Sequence, residues 1–201
     1  MTDSQRSIQP VTNLFQYFRS ELLSACDDLG LTTTEETQAY LAHLLEGFVR
    51  LNERTAQEVG FHKPAAFLLG EALQSAGDRR IEAYRRLGDT SLFSCGFFED
   101  HLQRSRSLVK AEYYRSMGRS AYSSLHDLIS FRAPGSAFQV IFAELARKFD
   151  TIVEAFRVLA TGRTDQERAR ADLFSRWHRG EEIDGKLLAR LGLMPATGGD
   201  A

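Results

Sequence analysis

Residues 85–102 read RRLGDTSLFSCGFFEDHL, and the interpretation of this stretch decides the fold class. Its phenylalanine content and the internal Gly96 are compatible with a buried strand on composition alone. Its large apolar residues nevertheless recur near helical spacing, and no other segment has the pattern of a partner strand. We therefore predict a helical segment here and an all-α fold for the chain.

Gly88 and Asp89 stand side by side within this stretch as a helix stop signal and a helix start signal. Glycine commonly ends a helix, and aspartate commonly caps the next one. The pair predicts two helices that meet at a sharp corner, with the phenylalanine side chains turned inward. The next segment, EYYRSMGRSAYSSL at 112–125, is expected to pack with this corner as one unit.

Helical periodicity extends over most of the remaining chain. The long predicted helices cover residues 11–29, 34–51, 109–131 and 136–161. Gly30 is expected to end the first of them, and Thr33 with Glu36 has the spacing of a capping box before the second.

These elements predict a single all-helical domain, a bundle of seven to nine helices over residues 1–193. Two shorter helices are expected at 165–179 and 181–191, and a disordered tail at 194–201. The helices at 109–131 and 136–161 are expected to pack against the two helices that precede residue 52.

Composition excludes several classes of protein. The 201 residues carry 25 Lys and Arg against 27 Asp and Glu, a net charge of −2, so the basic excess typical of nucleic-acid binding is missing. The arginine-dense segment 104–119 is the best candidate for an anion contact, but a nucleic-acid partner is not expected. No apolar run suits a membrane span or a secretory signal, which predicts a cytoplasmic protein without a membrane partner.

Recognised catalytic and metal-binding patterns are missing from the sequence. It has no HExxH, CxxC or glycine-rich phosphate loop, and its five histidines are scattered. Cys26 and Cys95 have no basic neighbour in sequence, so buried thiols are expected. We predict no catalytic residue, no metal ligand and no cofactor.

The aromatic and charged side chains of the predicted corner form a candidate ligand site. Buried tyrosine hydroxyls need partners, and the nearby acids and arginines can supply them. A structural corner with a satisfied polar network explains the same residues. The predicted ligand-binding residues are Asp89, Phe93, Phe97, Glu99, His101, Glu112, Tyr113, Arg115, Arg119 and Tyr122.

Three segments carry a family resemblance: LGDTSLFSCGFF, YYRSMGRSAY and the C-terminal FSRWHRG with LLARLGLMP. They are similar to segments that occur in the same order in a family of uncharacterised bacterial all-helical proteins of about this length. The resemblance implies a helical fold and brings no activity, cofactor or catalytic residue.

Two functions are compatible with these observations. The first is a cytoplasmic, non-enzymatic helical module with a regulatory or adaptor role, which binds a protein partner or self-associates. The alternative is a helical enzyme or small-molecule-binding protein with a pocket lined by Phe and Tyr near residues 89–122.

Overall fold

A computed structural model describes residues 14–49, 64–104 and 111–161 of the chain. These ranges contain seven α-helices and no strand, which confirms the predicted fold class. The helices are α1 (Leu14–Asp28), α2 (Glu35–Val49), α3 (Ala65–Gln74), α4 (Gly77–Arg104), α5 (Ala111–Arg132), α6 (Ala137–Arg147) and α7 (Phe149–Thr161). The predicted helices at 165–179 and 181–191 and the tail at 194–201 lie outside the described residues.

Helix α4 is the central element of the bundle. Every residue from 87 to 99 is buried, as expected for a helix that is covered on all sides. Helices α3, α5 and α7 pack directly against it. Helix α2 adds the Phe48 ring, which stacks on Phe93 with 3.7 Å between the ring centroids.

The predicted corner between Gly88 and Asp89 is wrong, because α4 continues through both residues. Gly88 lies against the Tyr122 ring of α5, and a Cβ atom at this position would come within 2.6 Å of Tyr122 Cε1. The glycine therefore permits close packing instead of ending the helix. The backbone departs from helical geometry further along, at Phe98 (φ −128°, ψ 15°).

The continuous helix predicted at 136–161 is also wrong, because the chain breaks at Lys148 into α6 and α7. Lys148 has φ −105° and ψ 14°. Its Nζ donates hydrogen bonds to Glu144 Oε1 and to the carbonyl oxygen of Thr32, both at 2.6 Å. The break thus lies where the end of α6 is bonded to the α1–α2 connection.

The α1–α2 connection follows the predicted pattern with a shift of one residue. Gly30 ends α1 with a positive φ of 61°, as expected. Thr34, and not Thr33, caps α2, since Thr34 Oγ1 accepts a hydrogen bond from the backbone N–H of Thr37 at 3.3 Å.

The predicted packing of the long helices is half right. Helices α6 and α7 contact α2 and α1 respectively, as expected. Helix α5 has its main contacts with α4 and α6, and none of similar extent with α1 or α2. No described helix is long and apolar enough to cross a membrane.

Candidate functional site

Asp89 of α4 lies at the centre of a buried polar cluster. The Tyr40 hydroxyl of α2 donates to Asp89 Oδ1 at 2.6 Å, and the Tyr122 hydroxyl of α5 donates to the same oxygen at 2.8 Å. Among the described residues, the nearest cation is Arg85, whose Nη1 is 3.9 Å from Asp89 Oδ2. Asp89 therefore joins three helices through one carboxylate.

The negative charge of the Asp89 carboxylate is only weakly compensated by the positive charge of Arg85. Arg85 is shared with Glu82, which accepts two of its hydrogen bonds at 2.8 and 3.1 Å. Burial raises the pKa of Asp89 to about 6 against the opposing effects of Arg85 and the two hydroxyls. Burial and the neighbouring carboxylate also raise the pKa values of Tyr40 and Tyr122, so both stay protonated donors.

A second cluster surrounds Arg115 of α5, one turn from its start. Its guanidinium donates to Glu99 Oε2 of α4 at 2.8 Å, and to Asp150 at 3.0 Å and Glu154 at 3.3 Å on α7. Arg157 lies 3.4 Å from the same Glu99 oxygen. This network stabilises the contact of α4, α5 and α7. The Glu99–Arg115 pair is largely buried, so removal of either side chain would leave the other charge buried without this partner.

Glu112 and Arg119 lie at the exposed edge of this second cluster. Arg119 donates to Asp150 at 2.6 Å and to Glu112 at 3.2 Å. The two arginines of segment 104–119 that the structure describes with their side chains, Arg115 and Arg119, are therefore both bound by carboxylates. The segment 105–110 lies outside the described residues.

The remaining predicted site residues are mostly core. Phe93 packs on Phe97 with 4.7 Å between ring centroids, and Phe97 in turn contacts Phe156. Tyr113 is half-buried and contacts Tyr114 edge to face. His101 belongs to α4, but its side chain lies outside the described part of the structure.

The nine predicted residues whose side chains the structure describes therefore do not converge on one pocket. Asp89 and Glu99 are ten residues apart on α4, which corresponds to about 15 Å along a helix. Phe93 and Phe97 fill the space between them with close ring contacts. Sequence reasoning found Asp89 and Tyr122 but missed Tyr40, whose only local signal is a hydroxyl on the apolar side of α2.

A concave surface lies between α3 and α4. The groove has a volume of about 570 Å³ and is lined by Glu71, Ser75, Asp78, Arg79, Glu82 and Arg86. Glu71 and Arg86 form an ion pair across it at 2.7 Å. Within the described ranges, no group of three or more His, Cys, Asp or Glu side chains is placed to hold a metal ion.

Both described cysteines are buried, as predicted. Burial raises the pKa of the Cys26 thiol to about 11 and that of Cys95 to about 12. Neither sulfur is therefore a thiolate near neutral pH, and neither is activated as a nucleophile.

An exposed apolar surface lies at the tip of the α5–α6 hairpin, residues 131–140, with the sequence FRAPGSAFQV. Phe131 is 92% exposed, Phe138 is 54% exposed, and Val140 is also exposed. Arg132 is the tip's one charged residue, and it pairs with Asp78 of α4. This surface has a recognisable sequence pattern: two phenylalanines flank a turn that contains one charged residue.

Comparison with known proteins adds no relative, since the chain matches no protein-family model, no curated protein and no solved structure. The family resemblance of the three sequence segments therefore stays a prediction.

Proposed function

We propose that this protein is a helical interaction module that binds a protein partner through the tip of its α5–α6 hairpin. The observation that carries the proposal is the nearly complete exposure of Phe131 in a bundle that buries most of its other described phenylalanines. Large exposed apolar side chains grouped on a protein surface commonly mark interaction sites.

The shape of the tip supports this proposal. Eight of the ten residues from 131 to 140 are exposed, so the end of α5 and the start of α6 project beyond the core. A projecting apolar segment suits a concave, apolar partner surface, where aromatic side chains supply much of the binding energy. The groove beside α3 is lined by charged side chains, which makes it a poor receptor for the phenyl rings of a second copy.

Site-specific photo-crosslinking tests this proposal. A photoreactive residue replaces Phe131 in one variant and Phe67 in a control, because Phe67 is also exposed, at 68%, but lies on α3. In the cells that produce the protein, we expect one discrete crosslinked species from position 131 that is not formed from position 67. The additional change Phe138→Ser should reduce its yield at least about tenfold, as expected for loss of an interface anchor.

Mass spectrometry of the product distinguishes the outcomes. A crosslink to a different polypeptide supports the proposal. A crosslink between two copies, matched by a dimer in sedimentation velocity, would replace it with self-association. Equal crosslinking from positions 131 and 67, or no discrete product from position 131, would overturn it.

A further inference from the structure

The Asp89 carboxylate joins α2 to the central helix α4 by a hydrogen bond. Tyr40 supplies the α2 hydroxyl at 2.6 Å, and the α5 hydroxyl of Tyr122 meets the same oxygen. The Phe142 ring of α6 lies against both tyrosines, with centroid distances of 5.8 and 6.1 Å. A change in the charge of Asp89 therefore affects the packing of α2, α4 and α5 together.

The charged and titratable groups that face this carboxylate come from three helices. They are Tyr40 from α2, Tyr122 from α5, and Arg85 and Glu82 from α4 itself. Helix α6 contributes the uncharged Phe142 ring. Since both hydroxyls are neutral and Arg85 is shared with Glu82, the ionised carboxylate is costly to keep buried.

We propose that Asp89 is a proton-operated latch, which holds α2 on the bundle more tightly when its carboxyl group is protonated and loosens α2 as the pH rises towards neutrality. The oxygen Oδ1 can accept both tyrosine hydroxyls in either state when the proton resides on Oδ2. Protonation therefore removes the cost of a buried charge and keeps the hydrogen bonds that join the helices.

The direction of the effect follows from proton linkage. The pKa of Asp89 is about 6 in the packed bundle, above the ordinary value of 3.8 that exposure to water would restore. The closed state therefore binds the proton more tightly, so closure is most favoured below about pH 4 and weakens as pH rises through 6. Between pH 4.5 and 7.5, the open population of α2 should grow by up to about 25-fold, the limit reached when opening exposes Asp89 fully to water.

Hydrogen exchange of the full-length protein tests the latch. After correction for intrinsic exchange rates, the protection factors of the α2 amides should fall between pH 4.5 and 7.5, by up to about 25-fold. Asp89→Asn keeps the side-chain shape without the charge, and should make α2 protection nearly independent of pH in this range. Asp28→Asn, at the exposed end of α1, is the matched control and should behave like the wild type.

Two results would overturn the latch. The first is the same pH response of α2 in the wild type and in Asp89→Asn. The second is α2 protection equal to that at the centre of α4, because α2 would then open only when the whole bundle unfolds.

A carboxyl NMR titration provides a second measurement that does not depend on the folding of Asp89→Asn. Asp89 should titrate near pH 6 in the wild type, and its midpoint should rise in Tyr40→Phe, which removes one hydrogen-bond donor to the ionised form. A midpoint near 4 in the wild type, or one unchanged by Tyr40→Phe, would contradict the proposal.

Discussion

Gly96 permits the close packing of α4 against α7, because it has no side chain. An added Cβ would collide with Phe156 Cβ, an atom fixed close to the backbone of α7. A glycine inside a helix is compatible with a close helix contact or with a kink, and at Gly96 the structure shows the contact. The departure from helical geometry lies two residues away, at Phe98.

We expect Gly96→Ala to lower the free energy of unfolding by about 1–3 kcal/mol, because α4 and α7 must separate to accommodate the methyl group. Urea unfolding followed by circular dichroism measures this change. Gly70→Ala in α3 is the matched control. No atom lies within 4 Å of the added Cβ there, so alanine should stabilise the helix by about 0.5–1 kcal/mol. Equal destabilisation by both variants would contradict the role of the α4–α7 contact.

Asp89 and Tyr122 are two residues of the buried polar cluster that the sequence alone predicts. A buried tyrosine hydroxyl needs a partner, and this rule led to both residues. It did not lead to Tyr40, because Tyr40 is 49 residues from Asp89 and nothing local places α2 beside α4. Hydrogen bonds between distant segments depend on the packing of the helices.

The start of α2 is set by another helix. Glu144 of α6 accepts hydrogen bonds from the Thr34 backbone N–H at 2.9 Å and from its hydroxyl at 3.0 Å, and it also binds Lys148. These bonds overcome the effect of burial and lower the pKa of Glu144 to about 2. The carboxylate thus supports the cap of α2 from across the bundle.

We expect Glu144→Gln to lower the free energy of unfolding at pH 7 by about 1–3 kcal/mol, since charged hydrogen bonds are replaced by neutral ones. The folded pKa lies below the ordinary value of 4.5, so this contribution is complete above pH 5 and is lost as pH falls towards 2.

Urea titrations at several pH values should therefore show the variant and the wild type converging in acid. Glu21→Gln on the exposed side of α1 should leave the wild-type pH dependence unchanged. A difference between Glu144→Gln and the wild type that stays constant down to pH 2 would contradict this account.

One hydrophobic core joins all seven described helices. The cluster of buried side chains includes Phe18 of α1, Leu41 of α2 and Leu68 of α3, together with residues from each of the four later helices. A single shared core favours cooperative unfolding.

We therefore expect the helical signal in far-ultraviolet circular dichroism and the tyrosine signal in near-ultraviolet circular dichroism to be lost in one coincident urea transition. The experiment is repeated at two protein concentrations so that association through the hairpin tip is recognised. Earlier loss of the tyrosine signal would show that the bundle unfolds in parts.

Local sequence patterns correctly predict that the described ranges are helical, that Gly30 ends α1, and that both cysteines are buried. These properties follow from the spacing of apolar residues and from turn residues, which act within a few positions of the chain. The packing of the helices, in contrast, determines that α4 continues through Gly88, that Lys148 interrupts the predicted long helix, that Tyr40 reaches Asp89, and that Phe131 projects into solvent. Each of these outcomes depends on which helices lie side by side and on how far each helix extends past the core. The spacing of apolar residues along the chain specifies neither property, because it acts only between residues a few positions apart.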